Sequence, residues 1–397
     1  MIGVVDAVDN PYSPGAGRPP AALVGRDEQQ ETWDVALRRT SAGRGARSVV
    51  LFGLRGVGKT VLLSEFSRRA RSSGWITAKI EAGSGKPLRA SLGEALHGPL
   101  ADLARPGAGA RLLRALKTAL SFKASYDSAG TWNFGLDLSG QPSGGADSGS
   151  IEADLGKLLH DIAAAAGDEG VGLALLVDEA QDLTLEELTA LCSVTHEAGQ
   201  DGWPLLLALA GLPSLPRILA EAKSYSERLF EFEQIRELDE DLARSAITEP
   251  AAAEGVAWEA PALELVVHAT SGYPYFLQQL GQDTWNLAPQ SPITLADARA
   301  GTERGRAALD TGFFRVRWDR ATRAEQRYLR AMSLDGDAGS ASGVVAERVG
   351  KKVTSLGPVR ASLISKGLIY APEHGVVAYT VPGMAAFISR QPGEERA

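Results

Sequence analysis

Gly53-Leu54-Arg55-Gly56-Val57-Gly58-Lys59-Thr60 meets the G-x-x-x-x-G-K-[ST] spacing in full. The apolar run Ser48-Val49-Val50-Leu51-Phe52 precedes it and predicts a buried strand. Residues 61–71 follow with apolar Val61, Leu62, Leu63 and Phe66, which predict a helix. Strand, glycine-rich turn and helix are the setting in which this spacing binds phosphate. Glycines at 53, 56 and 58 let the backbone wrap closely and point N–H groups inward. The helix N-terminus adds partial positive charge. Lys59 would reach the β- and γ-phosphates, and the Thr60 hydroxyl would ligate Mg²⁺. Arg55, Val57 and Val61 are counted with the loop as nucleotide contacts. A plain glycine turn would account for the three glycines but not for Gly-Lys-Thr at the helix start.

A second landmark is Leu173-Ala174-Leu175-Leu176-Val177-Asp178-Glu179. A continuous apolar run ending in two acids predicts a buried parallel strand with carboxylates at its C-terminal edge, where open α/β sheets bind ligands. Asp178 would hold Mg²⁺ through water, and Glu179 would orient or deprotonate the attacking water. The bland alternative, a strand leading into a helix cap, is outweighed by the complete phosphate loop upstream.

The chain has 397 residues, 44% hydrophobic and 23% charged, which suits two or three soluble domains. No basic leader opens it and no apolar run is long enough to span a bilayer, so a cytoplasmic protein is expected, with no membrane partner. The single cysteine, Cys192, leaves no internal disulfide or thiolate zinc cluster and reads as a small core residue on a helix. Net charge is −8, which argues against general nucleic-acid binding. Residues 311–397 nevertheless hold 13 Lys and Arg against 8 Asp and Glu, a balance of +5 that leaves −13 for residues 1–310.

Taken in order, residues 1–21 are rich in Pro, Gly and Ala and predict a flexible arm. Residues 22–237 form an α/β core with further strands near 75–80, 205–210 and 230–235. Residues 88–123 read as helical with a break at Pro106-Gly107. Residues 132–138 read as a short strand, 141–150 as a surface loop and 151–166 as a helix. Residues 238–309 predict four helices with no strand signal, and so an all-helical lid. Residues 310–397 predict helices at 320–332, 342–349 and 353–367, then a hairpin, the pattern of a winged helix-turn-helix. Its exposed DNA-contact candidates are Lys351, Lys352, Ser355, Arg360 and Lys366. A winged helix used only for protein contact is the alternative.

With both phosphate motifs in place, residues 8–390 resemble an AAA+ ATPase of the replication-initiator, origin-recognition-like branch, bordering the signal-transducing STAND ATPases. Actinobacterial proteins of this type look most similar. The resemblance implies an α/β P-loop NTPase core with a parallel sheet, an all-helical lid and a C-terminal winged helix. Leu23-Val24-Gly25-Arg26 matches the box that packs on adenine. Asp178-Glu179-Ala180-Gln181 matches the acidic motif. Gly272-Tyr273-Pro274 matches the Gly-x-Pro of the lid, so that Pro274, with the arm near Tyr12, would close over the base. Arg228 matches a position where relatives carry an arginine directed at a γ-phosphate, in cis or in a neighbour. Two departures favour a slow switch over a processive motor. The fourth strand ends Leu209-Ala210-Gly211-Leu212-Pro213 without a polar side chain. The lid arginine expected after Gly272 is replaced by Pro274 and Tyr275.

The expectation is therefore an ATPase with ATP and Mg²⁺ as ligands, Lys59, Glu179 and Arg228 as catalytic groups, and slow turnover that moves a DNA-binding winged helix. No Asn-Lys-x-Asp guanine-reading motif is present, which tilts the nucleotide toward ATP. The alternative is a STAND-type signalling or defence scaffold working through protein partners or a homo-oligomer without DNA. A small-molecule kinase would have no use for the lid and the winged helix.

Overall fold

In the computed structural model, which describes residues 5–83, 85–103, 109–126 and 145–392, five apolar runs make one parallel sheet. They are β1 (Ser48–Phe52), β2 (Ile76–Glu81), β3 (Leu173–Asp178), β4 (Leu205–Gly211) and β5 (Phe230–Gln234). The order across the sheet is β2-β3-β4-β1-β5. Every residue of β3 and β4 is buried, as a strand covered on both faces requires. Side chains alternate between two cores. Val49, Leu51, Ala174 and Leu176 meet Trp33, Leu62 and Phe66 of helices Asp27–Ser41 and Lys59–Ser72. Val50, Leu175, Val177 and Leu207 meet helices Leu88–Leu103, Ala110–Tyr126, Ile151–Asp168 and Leu185–Asp201. Because the strands are parallel, their C-termini share one edge. The phosphate loop after β1 and the acids ending β3 come together there, with β4 between.

The strand expected at 132–138, the helix break at Pro106-Gly107 and part of the loop at 141–150 lie outside the described residues. Among the described residues, no helix is long and apolar enough to cross a membrane.

Four helices follow the sheet: Glu240–Ala253, Ala260–Thr270, Pro274–Trp285 and Leu295–Ala308. The last runs through a π-helical turn, Leu309–Phe314, directly into helix Arg315–Asp319. Residue 310 therefore sits inside a continuous helical run. One hydrophobic cluster spans it, joining Leu277 and Trp285 to Phe314, Trp318 and Phe387. The helical bundle and the C-terminal segment consequently share one core.

Residues 5–20 are a packed strap, where the composition predicted a free arm. Tyr12 is the reason. Its ring is buried edge-on to Trp285 and its hydroxyl donates to the Ile247 carbonyl at 2.5 Å. Trp285 Nε1 donates to the Asp6 carbonyl, and Asn10 and Ser13 bond to helix Pro274–Trp285.

The C-terminal segment comprises helices Arg323–Ser333, Ser342–Val349, Gly357–Ser365 and Met384–Ser389 with an antiparallel sheet of β6 (Ser340–Ala341), β7 (Ile369–Tyr370) and β8 (Val376–Tyr379), ordered β6-β8-β7. The helix expected over 353–367 is divided into a 3₁₀ turn, Val353–Leu356, and an α-helix that begins at Gly357. Pro358 explains the division. It lacks an N–H and fits the first turn of a helix, not its interior.

Candidate functional site

A cavity of about 530 Å³ opens where the sheet edge, the helical bundle, the strap and helix Arg315–Asp319 converge. Its floor is the phosphate loop. Gly56 and Gly58 have φ of 90° and 97°, a backbone region that disfavours side chains. A Cβ on Gly58 would meet nothing within 4 Å, so the loop is open toward the cavity there. The first helical bond runs from Leu62 N–H to Gly58 O. The N–H groups of Lys59, Thr60 and Val61 lie outside the helical ladder and are available to an anion.

Lys59 is 8% exposed and folds over the loop, with Nζ donating to Gly53 O at 2.9 Å and Leu54 O at 2.8 Å. Burial, opposed by nearby Glu179 and Asp178, pushes its ammonium down to about 8. Two carbonyls only partly compensate a buried cation; a phosphate would complete it. Thr60 lines the cavity beside Asp178, itself 6% exposed, which accepts the Glu179 N–H at 2.9 Å. A hydroxyl and a carboxylate are the hard oxygen donors Mg²⁺ prefers. Leu23, Val24, Leu238 and Leu277 give the lining an apolar part that suits a flat base. The residues present thus fit a magnesium nucleotide.

Glu179 has φ of 50°, unusual for a side-chain-bearing residue, and aims its carboxylate at two donors. Arg55 Nη1 lies 2.6 Å from Oε1 and Gln181 Nε2 lies 2.7 Å from Oε2. Gln181 in turn accepts the Leu212 N–H at 2.9 Å, and Gly211 must be glycine for that approach, because a Cβ would come 2.6 Å from the Gln181 amide oxygen. A polar side chain at the end of β4 is therefore supplied from the loop after β3. Arg55 also donates its backbone N–H to Thr380 O at 2.9 Å, and its guanidinium lies against Gly367, both in the C-terminal segment.

Of the residues expected from sequence, Val24, Arg26, Arg55, Gly56, Val57, Gly58, Lys59, Thr60, Val61, Asp178, Glu179 and Pro274 line the cavity. Arg26 is mainly a structural tie. Its guanidinium donates to Arg236 O at 2.7 Å and Val57 O at 3.2 Å, and burial holds its pKa below the ordinary value. Gly53 and Gly25 do not line the cavity. A Cβ on Gly53 would strike Ile235 O at 2.1 Å and one on Gly25 would strike Leu242, so both permit close packing. Tyr12 is withdrawn into the helical core; its neighbours Ser13 to Arg18, with Pro20 and Ala22, line the cavity instead, and Gly17 lies against Thr60. Arg228 is exposed on the short helix Ser226–Leu229, which precedes β5. Since β5 runs parallel to β1, that helix is at the opposite edge of the sheet from the phosphate loop, and Arg228 does not reach this cavity.

Among the basic candidates of the C-terminal segment, Lys351, Lys352 and Ser355 are exposed. Lys366 is not free: Nζ pairs with Glu325 at 2.7 Å and donates to Arg320 O at 3.0 Å. Arg360 is half-buried, its Nε enclosed without a partner.

Gln181, Arg317, Gln278, Tyr275 and Phe313 join the site without having been anticipated. Gln181 stood inside the quoted acidic motif, three residues beyond Asp178, and was the one readable signal.

Residues 22–212 match the family model described as AAA ATPase domain, and residues 311–388 match one described as a domain of unknown function. No curated protein matches the chain. The Walker-type ATPase of Pyrococcus abyssi is similar in structure at 15% identity and a TM-score of 0.59, over 94% of this chain and 98% of that one. That likeness concerns the fold. Cdc6p from Pyrobaculum aerophilum (14% identity, 98% of each chain, TM-score 0.45) and the RuvB Holliday junction branch migration motor of Thermotoga maritima (14%, 91% of this chain and 96% of that one, TM-score 0.45) are looser likenesses. The open glycine loop, the buried lysine and the acidic strand end all fall within residues 22–212, the segment that matches the AAA ATPase domain model.

Proposed function

We propose that the chain is a slow ATP-hydrolysing switch whose nucleotide state is passed to a C-terminal winged helix. The observation that carries this reading is Arg55. One residue of the phosphate loop pairs with Glu179 through its side chain and with Thr380 through its backbone. A change in the loop therefore acts on the C-terminal segment without an intermediary. ATP shifts such an equilibrium only by binding the two arrangements unequally.

The N–H groups of the loop and Lys59 would hold the phosphates. Thr60 and Asp178 would hold Mg²⁺, which when bound neutralises phosphate charge. Glu179 would orient the attacking water and accept its proton. Pro274, Val24 and the strap would enclose the base. Arg228 would serve only a neighbouring copy, as an arginine directed across an oligomer interface. Lys351, Lys352 and Ser355 would contact DNA phosphates, supported by the +5 balance of residues 311–397. A scaffold acting through protein partners is the second reading, favoured by the withdrawal of Arg360 and Lys366 from the surface.

The test is size-exclusion and duplex-DNA mobility shift with ATP, with ADP and with no nucleotide, for the parent, Lys59→Ala and Glu179→Gln. Loss of nucleotide retention in Lys59→Ala and ATP trapping in Glu179→Gln are expected. DNA binding should fall steeply with salt and weaken when Lys351 and Lys352 are reversed to Glu. ATP-dependent assembly that ignores DNA would select the scaffold. Parent-like ATP binding by Lys59→Ala would remove the nucleotide from this site.

A further inference from the structure

Arg317 is a cation of the cavity wall with no counter-charge among the described residues. It lines the space together with Arg55, Lys59 and Glu179. Its Nη1 donates to Phe313 O at 2.6 Å and its guanidinium stacks 4.0 Å over the Phe313 ring. Among the described residues no carboxylate pairs with it, whereas Arg55 is matched by Glu179. The charged group nearest in effect is Arg55, a like charge, and burial and that repulsion both press against its protonated form. Arg55 Nε is enclosed nearby with no acceptor. A half-buried guanidinium that shares a cavity with another cation is unfavourable unless an anion joins them. The phosphate end of the cavity is where that anion would come.

Position decides which phosphate. Arg317 stacks on Phe313, which stacks on Tyr275, and the Tyr275 N–H donates to Gly56 O of the phosphate loop at 3.2 Å, so Arg317 stands at the phosphate end of the cavity, close to the Arg55 that pairs with Glu179. It therefore faces the terminal phosphate. It also lies outside the matched AAA ATPase domain, on helix Arg315–Asp319, which continues the helical bundle into the C-terminal segment.

Resting on the ATP-site reading above, we propose that Arg317 reads the γ-phosphate in cis: its planar fork clamps the terminal phosphate of ATP and has nothing to clamp in ADP. The switch body itself thus supplies the group that distinguishes the two nucleotides. Arginine suits this task because the fork matches phosphate oxygens bidentately.

Calorimetric titration of the full chain with ATPγS and with ADP, in the presence of Mg²⁺, tests this for the parent, Arg317→Ala and Arg317→Lys. In Arg317→Ala the ATPγS dissociation constant should rise about 10- to 100-fold, the scale of a charge-assisted hydrogen bond, with ADP changed less than about threefold. Arg317→Lys keeps the charge and most of the packing on Phe313, so it decides the matter if the alanine variant fails to fold. It should lose about tenfold in ATPγS affinity alone. Equal losses for both nucleotides, or unchanged ATPγS affinity, would overturn the role of Arg317 and leave the ATP site standing. A parent that binds neither nucleotide would overturn the site and this inference together.

Discussion

Arg55 Nη1 and Glu179 Oε1 are 2.6 Å apart, an ion pair between the phosphate loop and the end of β3 that joins residues 124 positions apart. The carboxylate proposed to activate water is thus engaged by a donor of the loop proposed to hold the nucleotide. The same donor residue bonds to Thr380. Docking of the C-terminal segment and restraint of Glu179 are one arrangement.

Arg55→Ala should release that restraint. Turnover in a single-turnover ATP hydrolysis assay is expected to rise about tenfold, the scale of one charge-assisted hydrogen bond. ATP affinity should change much less. A fall in turnover, or none, would show that the pair does not restrain Glu179.

Lys59 predicts a pH dependence. Burial, partly offset by Glu179 and Asp178, sets its ammonium to about 8 in the nucleotide-free fold, whereas the unfolded chain holds the proton to about 10.4. Between those values the unfolded state binds more protons, so the Lys59 contribution makes stability rise with pH in that window. Phosphate favours the charged lysine. ATP binding at about pH 9 should therefore take up close to one proton, and affinity should fall by up to about tenfold per unit above pH 8. Titrations in buffers of differing ionisation enthalpy measure the uptake. Lys59→Met should abolish it.

The Glu325–Lys366 pair predicts acid sensitivity of the C-terminal segment. Burial would raise the Glu325 carboxyl, but donors from Lys366, Ser362 and Thr322 win and carry it to about 2. Its folded value is below the unfolded one of about 4.3. The stability it contributes is present above about pH 4.3 and is lost as pH falls toward about 2. Lys366→Ala leaves a buried carboxylate unpaired and should cost about 3 kcal/mol in urea unfolding. A loss under about 0.5 kcal/mol would instead fit a surface pair.

The amino-acid sequence alone was enough for the phosphate loop, the acidic strand end, the parallel sheet and the succession of helices after it. Those features are written in short-range patterns: a spacing of eight residues, runs of apolar side chains, and a period of about two or 3.6. What only the tertiary structure decided were pairings across long separations. It drew Tyr12 into the helical core and seated its Gly- and Pro-rich neighbours over Thr60. It sent Gln181 to the end of β4, tied Lys366 to Glu325, and left Arg228 at the far edge of the sheet. It also brought Arg317, from outside the matched segment, into the same cavity wall as Arg55. No local pattern encodes these, because each depends on which elements dock and on where burial forces a polar group to find its partner.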